Sequence, residues 1–146
     1  MTETLNQLLK ASILKNWEHK ALCDAGKKAL SYGEMAQKIA QLHLVLQEAG
    51  IKPQDKIALC GRNSAQWSIA FLSALTYGAV AVPILHEFKA DNIHHLVTHS
   101  EARLLFIDSA IWENLDPALM AGLDGAILIS DYSLLLSRNE KLTDAR

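Results

Sequence analysis

His94, His95 and His99 stand close together, and His95 and His99 are four residues apart. That is one helical turn, a spacing from which two imidazoles can hold zinc when further ligands complete the set. No Cys or carboxylate pattern completes it. On a helix both rings also project away from Ile93, Leu96 and Val97, so a solvated helix face is expected and no metal. Cys60 ends an apolar run beside Gly61, with no histidine near it in sequence and no G-x-S-x-G elbow in the chain. It reads as a buried structural thiol rather than a nucleophile. Gly26-Lys27-Lys28 lacks the upstream glycine of a phosphate loop, and Gly122 and Gly125 lack the rest of a dinucleotide pattern. Gly61-Arg62-Asn63 has two readings. It lies where a strand should end and a helix begin, a place where α/β sheets gather anions. Alternatively, Asn63 merely caps the helix and Arg62 pairs with a surface carboxylate.

The elements that must position these groups are legible from the apolar pattern. Lys56–Cys60 predicts a short buried strand. Asn63 with Gln66 three residues on predicts a helix running to Tyr77, closed by Gly78, and Val80–Ile84 predicts the next strand. A helix between two apolar strands implies a parallel pair covered on its faces. Upstream, residues 2–17 place Leu5, Leu8, Leu9, Ser12 and Ile13 on one helical face, with Trp17 near the end. Lys20–Cys23 and Ala29–Tyr32 predict a small hairpin around Gly26. Ser31-Tyr32-Gly33-Glu34 is a capping box, followed by Met35, Ile39, Leu42, Leu46 and Ala49 at helical spacing and ended by Gly50. Downstream, Leu85–Phe88 reads as a loop and Asp91 as the start of a helix. Leu104–Ile107 predicts a third strand, ended by Asp108, and residues 111–119 short helical turns around Pro117. Ala126–Ile129 predicts a fourth strand, and Tyr132–Leu136 the opening of a last helix. The expected fold is α/β: a doubly wound, largely parallel sheet with helices on both faces, plus the amino-terminal hairpin.

Composition excludes some functions. A chain of 146 residues supports one domain, half of it hydrophobic and a fifth charged, as in an ordinary soluble protein. A net charge of −2 with no basic stripe argues against nucleic acid. From Asn63 to His86 there is no Asp, Glu, Lys or Arg, but polar residues, glycine and proline interrupt the run. A buried helix and strand explain it better than a membrane span. The first residues show no cationic leader before an apolar core, so no signal peptide is expected. Leu134, Leu135 and Leu136 want a partner surface, and a polar run closes the chain, so a piece of a longer protein is expected.

Four stretches, in order, resemble the amino-terminal part of the adenylate-forming acyl-CoA synthetases, especially the long-chain fatty-acid CoA ligases. They are ALSYGEM (29–35), AGIKPQDKIALCGRNSAQWSIAFLSAL (49–75), TYGAVAVPI (76–84) and ADNIHHLVTHSEARLLFID (90–108). The resemblance implies that the whole chain is the amino-terminal portion of an AMP-binding domain, with no internal boundary. It implies a parent ligase in which a carboxylate attacks the α-phosphate of ATP with Mg²⁺, and coenzyme A then displaces AMP. The partners implied are a fatty acid, ATP and coenzyme A, in the cytoplasm, with a homodimer and peripheral membrane contact left open.

The family's Gly/Ser/Thr-rich phosphate loop and following lysine are not found in residues 1–146, so no catalytic residue carries over and the chain alone is expected to be inactive. The resemblance implies that the loop after Pro83 lies near the route of coenzyme A. His86 could donate to a phosphate or carbonyl there, and Phe88 could pack on adenine or an apolar arm. Otherwise Phe88 packs into the core and His86 is simply exposed. Many long-chain members carry a tyrosine and proline soon after this position, where this chain has Leu85-His86-Glu87-Phe88. The rival reading is a self-contained flavodoxin-like module binding a small anion at Gly61–Asn63. A third is an interaction domain using the first helix.

Overall fold

The computed structural model describes Gln7, Lys20–Leu22 and residues 30–138. Apart from Gln7, the expected helix over residues 2–17 lies outside these, as do Cys23 and the hairpin turn. Strand β1 (Lys20–Leu22) pairs antiparallel with β2 (Leu30–Ser31), as the hairpin reading requires. Helix α1 (Tyr32–Glu48) opens on the expected capping box: Ser31 Oγ accepts the Glu34 N–H at 3.1 Å, and Glu34 Oε1 accepts the Ser31 N–H at 3.2 Å. Its buried stripe is Met35, Ile39, Leu42 and Leu46.

A five-stranded sheet follows: β3 (Lys56–Cys60), β4 (Val80–Ile84), β5 (Leu104–Ile107), β6 (Gly125–Leu128) and β7 (Leu134–Ser137). Their order is β4-β3-β5-β6-β7, with the first four parallel and β7 antiparallel to β6. Helix α2 (Ala65–Tyr77) links β3 to β4, and α3 (Ala90–Ser100) links β4 to β5. Alternation along the strands divides the core. Ile57, Leu59, Leu104, Phe106 and Ile127 pack with α1 and α2 on one face. Ala58, Cys60, Leu105, Ile107 and Ala126 pack with Ile93 and Val97 of α3 on the other. Helices therefore cover both faces, as expected. Each fully buried Leu, Ile or Phe contributes roughly 1.5–3 kcal/mol of transfer free energy. No helix among the described residues is long and apolar enough to cross a membrane; the charge-free run from Asn63 to His86 is α2 and β4.

Two local expectations change. Ser64, not Asn63, caps α2: its backbone is extended and its hydroxyl accepts the Trp67 N–H at 3.0 Å. The helix starts one residue later, which moves Gln66 out of the N3 position, so no reciprocal box forms. Gly78 closes α2 as expected, at φ +97°, a left-handed conformation that a Cβ disfavours. The segment from Tyr132 is a strand, not a helix. Asp131 to Ser133 reverses the chain, with Tyr132 at φ +60°. Leu128 N–H then donates to Ser133 O at 2.8 Å and Tyr132 N–H to Leu128 O at 2.8 Å. Leu134 packs on one core and Leu135 and Leu136 on the other, so the leucine run serves a two-sided strand. His94, unlike the exposed His95 and His99, is buried. Its Nε2 accepts the backbone N–H of Asp116 at 2.8 Å, which places the ring proton on Nδ1, 3.7 Å from Asp91 Oδ1.

At the amino ends of the strands Arg103 holds two loops together. Its guanidinium donates to Asp55 at 2.8 Å, to Gly50 O at 3.3 Å and to the Asp124 carboxylate. Burial alone would raise the Asp55 carboxyl. The Lys52 N–H and Arg103 outweigh it and hold that carboxyl below its ordinary value. On the α1–α2 seam, His43 Nε2 lies 2.8 Å from Thr76 Oγ1 and 3.1 Å from Ser73 O. The Thr76 hydroxyl donates to Leu72 O, so the imidazole N–H is the donor to Thr76.

Candidate functional site

Parallel strands leave their carboxyl ends on one side of a sheet, and a crevice opens where successive connections depart to opposite faces. Here β3 feeds α2 on one face, while β5, its neighbour, leads to Ser109–Trp112 (α4) and to a 3₁₀ turn at Pro117–Leu119. Between these exits lies a cavity of about 630 Å³. Arg62, His86, Phe88, Lys89, Asp108 and Asn114 supply its chemically active wall, with Ile93 and Leu115 behind them.

Gly61 is the hinge of this wall. A Cβ at that position would lie 2.8 Å from Asp108 Oδ1 and 2.8 Å from Ile129 Cδ1, closer than real contacts allow. The missing side chain lets Asp108 close over the β3 end, where Oδ2 accepts the Arg62 N–H at 2.9 Å. The Arg62 side chain is left exposed on the rim. Cys60 lies below, fully buried, its thiol 4.0 Å from Leu85 O. Burial, helped by the Asp108 charge, pushes that thiol up to about 11. At neutral pH it is a protonated, poor nucleophile, in line with the sequence reading.

The Leu85–Phe88 segment is a tight turn closed by the Phe88 N–H on Leu85 O at 3.1 Å. His86 and Glu87 form its tip, with His86 Nε2 3.8 Å from Glu87 Oε1. His86 is half-buried and also lines a second cavity of about 300 Å³, shared with Gly61, Asn63, Trp67 and Leu85. The turn is therefore a partition between two hollows. Phe88 is 39% exposed, so it rests on the crevice rim rather than in the core. The structure thus brings His86 and Phe88 into the same crevice as Arg62, and leaves His95 and His99 on the far, exposed side of α3. Sequence reasoning missed Asp108 and Lys89 as parts of this wall. An acid directly after an apolar strand was the available signal for Asp108.

The groups gathered here are of kinds that bind anions and flat rings. Cations (Arg62, Lys89), an imidazole and an aromatic ring share one rim. Among the described residues no group of three His, Cys, Asp or Glu could hold a metal ion.

Comparison with known proteins agrees with the fold. Over 113 residues the chain is 31% identical to gramicidin S synthase 2 of Brevibacillus brevis, covering 77% of this chain and 2% of that protein. Over 94 residues it is 26% identical to the long-chain-fatty-acid–CoA ligase heimdall of Drosophila melanogaster, covering 64% of this chain and 14% of that one. The crystal structure of a long-chain-fatty-acid-CoA ligase from Archaeoglobus fulgidus superposes with a TM-score of 0.80 at 20% identity, over 98% of this chain and 30% of the ligase. The chain thus spans under a third of the length of each of these relatives. The model of the AMP-binding enzymes matches residues 9–143. With that match running through hairpin, sheet and crevice alike, the chain belongs to the AMP-binding enzyme family.

Proposed function

We propose that residues 1–146 are the amino-terminal portion of the adenylating domain of an ATP-dependent fatty-acid CoA ligase, in which they serve as scaffold. We further propose that the Leu85–Phe88 turn faces coenzyme A. The carrying observation is the crevice at the strand ends, whose rim gathers Arg62, Lys89, His86 and Phe88, with no cluster of three ligating side chains for a metal among the described residues. A protein that adenylates a carboxylate must stabilise negative charge on phosphate oxygens with a loop, a metal and a lysine. Residues 1–146 do not fit ATP and Mg²⁺: the Gly/Ser/Thr run with its lysine is missing from them. Those groups would come from elsewhere in the parent. Coenzyme A fits better. Arg62 and Lys89 carry the charge a phosphate needs, His86 can donate a hydrogen bond, and the exposed Phe88 offers a face for adenine.

A second reading has its own observation. Gramicidin S synthase 2 is by its name a synthase of gramicidin S and not a CoA ligase, the identity to it is 31%, and the fold is also that of a nonribosomal peptide synthetase structure. Under that reading the parent adenylates an amino acid and passes it to a thiol other than free coenzyme A. The deciding experiment is pyrophosphate exchange by the full-length protein across fatty acids of several lengths, aryl acids and amino acids. AMP release by coenzyme A is then followed with each acid that exchanges. Exchange with fatty acids and coenzyme A-dependent AMP release support the ligase. Exchange confined to amino acids overturns it in favour of the synthetase, and no exchange with any acid overturns both.

A further inference from the structure

Helix α3 turns two imidazoles outward. His95 and His99 are both exposed, and their rings lie 11° from parallel with centroids 5.6 Å apart. Ile93, His94 and Val97 bury the opposite side of the helix. Neither ring lines the crevice, and the proposed ligase function makes no use of them.

We propose that His95 and His99 form a two-point chelating site for a borderline transition-metal cation: Cu²⁺, Ni²⁺ or Zn²⁺. Three observations carry this. The residues are at i and i+4, the spacing by which a single helix presents two histidines to zinc in H-E-x-x-H sites. The ring centroids are only 5.6 Å apart, so side-chain rotation on the exposed face can turn one nitrogen of each ring toward a shared ion. Asp91 stands one turn before His95, its side chain almost fully exposed, and puts negative charge at the end of the same stripe. A third protein ligand is unnecessary, because water fills the remaining positions. The site is accordingly weaker than a structural zinc centre, and its selectivity follows from imidazole chemistry. Cu²⁺ binds tightest, Ni²⁺ and Zn²⁺ follow, and the hard cations Mg²⁺ and Ca²⁺ are ignored. Only neutral imidazoles ligate, so protons compete with the metal. A bound ion ties one turn of α3 to the next and stabilises the folded state by mass action.

The test is titration of the untagged full-length protein with Cu²⁺, Ni²⁺, Zn²⁺ and Mg²⁺ by calorimetry, alongside His95→Gln and His99→Gln. Both side chains are exposed, so the variants should unfold at the wild-type temperature without metal, and any loss of binding is local. The expected result is a saturable site with Cu²⁺ tightest and no Mg²⁺ heat. Either substitution should weaken it about tenfold or more, the loss of one of two ligands. Zinc should also raise the unfolding temperature of the wild type and of neither variant. Affinity unchanged in both variants, or Mg²⁺ binding at comparable strength, overturns the proposal.

Discussion

The Asp108 carboxylate grips the backbone of Arg62, accepting its N–H at 2.9 Å across the end of two neighbouring strands. This contact exists because Gly61 leaves room for it. Gly61→Ala should therefore destabilise the protein by about 1–3 kcal/mol, the usual cost of forcing a methyl group into a packed site. Asp108→Asn keeps an acceptor oxygen and should cost less than Asp108→Ala. Urea unfolding measures all three; a Gly61→Ala protein as stable as the wild type would show that the close approach is not constraining.

Cys60 supplies a pH signature. Its folded thiol lies near 11, above the ordinary value of 9.0. A group raised in the folded state lends stability that is fully present below its unfolded value and is lost as pH rises through the folded one. The unfolding free energy should thus decline from about pH 9 towards pH 11, and Cys60→Ala should flatten that part of the curve. In the native protein at pH 8 the Cys60 thiol should react with a disulfide reagent only as fast as the chain opens. Instant labelling of Cys60 would contradict its burial.

Arg103 makes a prediction at the other end of the sheet. Arg103→Ala leaves Asp55 and Asp124 facing each other without their shared cation and should cost on the order of 1–3 kcal/mol. The Asp55 carboxyl is held below its ordinary value, so its stabilisation exists above the usual carboxylate range and fades as pH falls through the lowered one. Acid unfolding of the wild type should carry this contribution, and Arg103→Ala should lose part of it, the Lys52 N–H keeping the rest.

The coenzyme A assignment is tested in the full-length enzyme. His86→Ala and Phe88→Ala should each raise the apparent KM for coenzyme A several-fold while leaving the pyrophosphate exchange of the first step near wild type. Unchanged KM with intact folding makes the turn a partition only.

The isolated 146-residue chain should release no pyrophosphate from ATP and a fatty acid above a blank. Turnover by the pure chain would place catalytic groups within residues where the sequence offers none.

Much of this fold was readable because its local signals agree with its packing. Ser31 and Glu34 announced α1, Gly78 closed α2, and the runs at Lys56, Val80 and Leu104 had strand length and apolar character. The failures share a cause. Asn63 and Ser64 are both good caps, and only the path of the chain past Asp108 selects the second. Leu134–Leu136 is too short for periodicity to tell helix from strand, and the free side of β6 decides it. The burial of His94 went unassigned, because it rests on a backbone N–H from residue 116. The site was legible in the turn at His86 and the rim at Arg62. Asp108 escaped because its role depends on a glycine 47 positions away.

Among the described residues the sheet ends on one side at β4, and Pro83 sits inside that outermost strand. The Val80 N–H donates inward to Asp55 O at 2.8 Å, so by strand alternation residues 82 and 84 also face β3, while 81 and 83 face outward. The proline nitrogen, which has no hydrogen, thus interrupts the bare margin without costing the ladder a bond. A stray strand trying to zip along β4 finds a gap in the row of donors. One residue that looks like a flaw in a β-strand thus leaves the ladder to β3 whole while making the outer side of β4 a poorer template for a further strand.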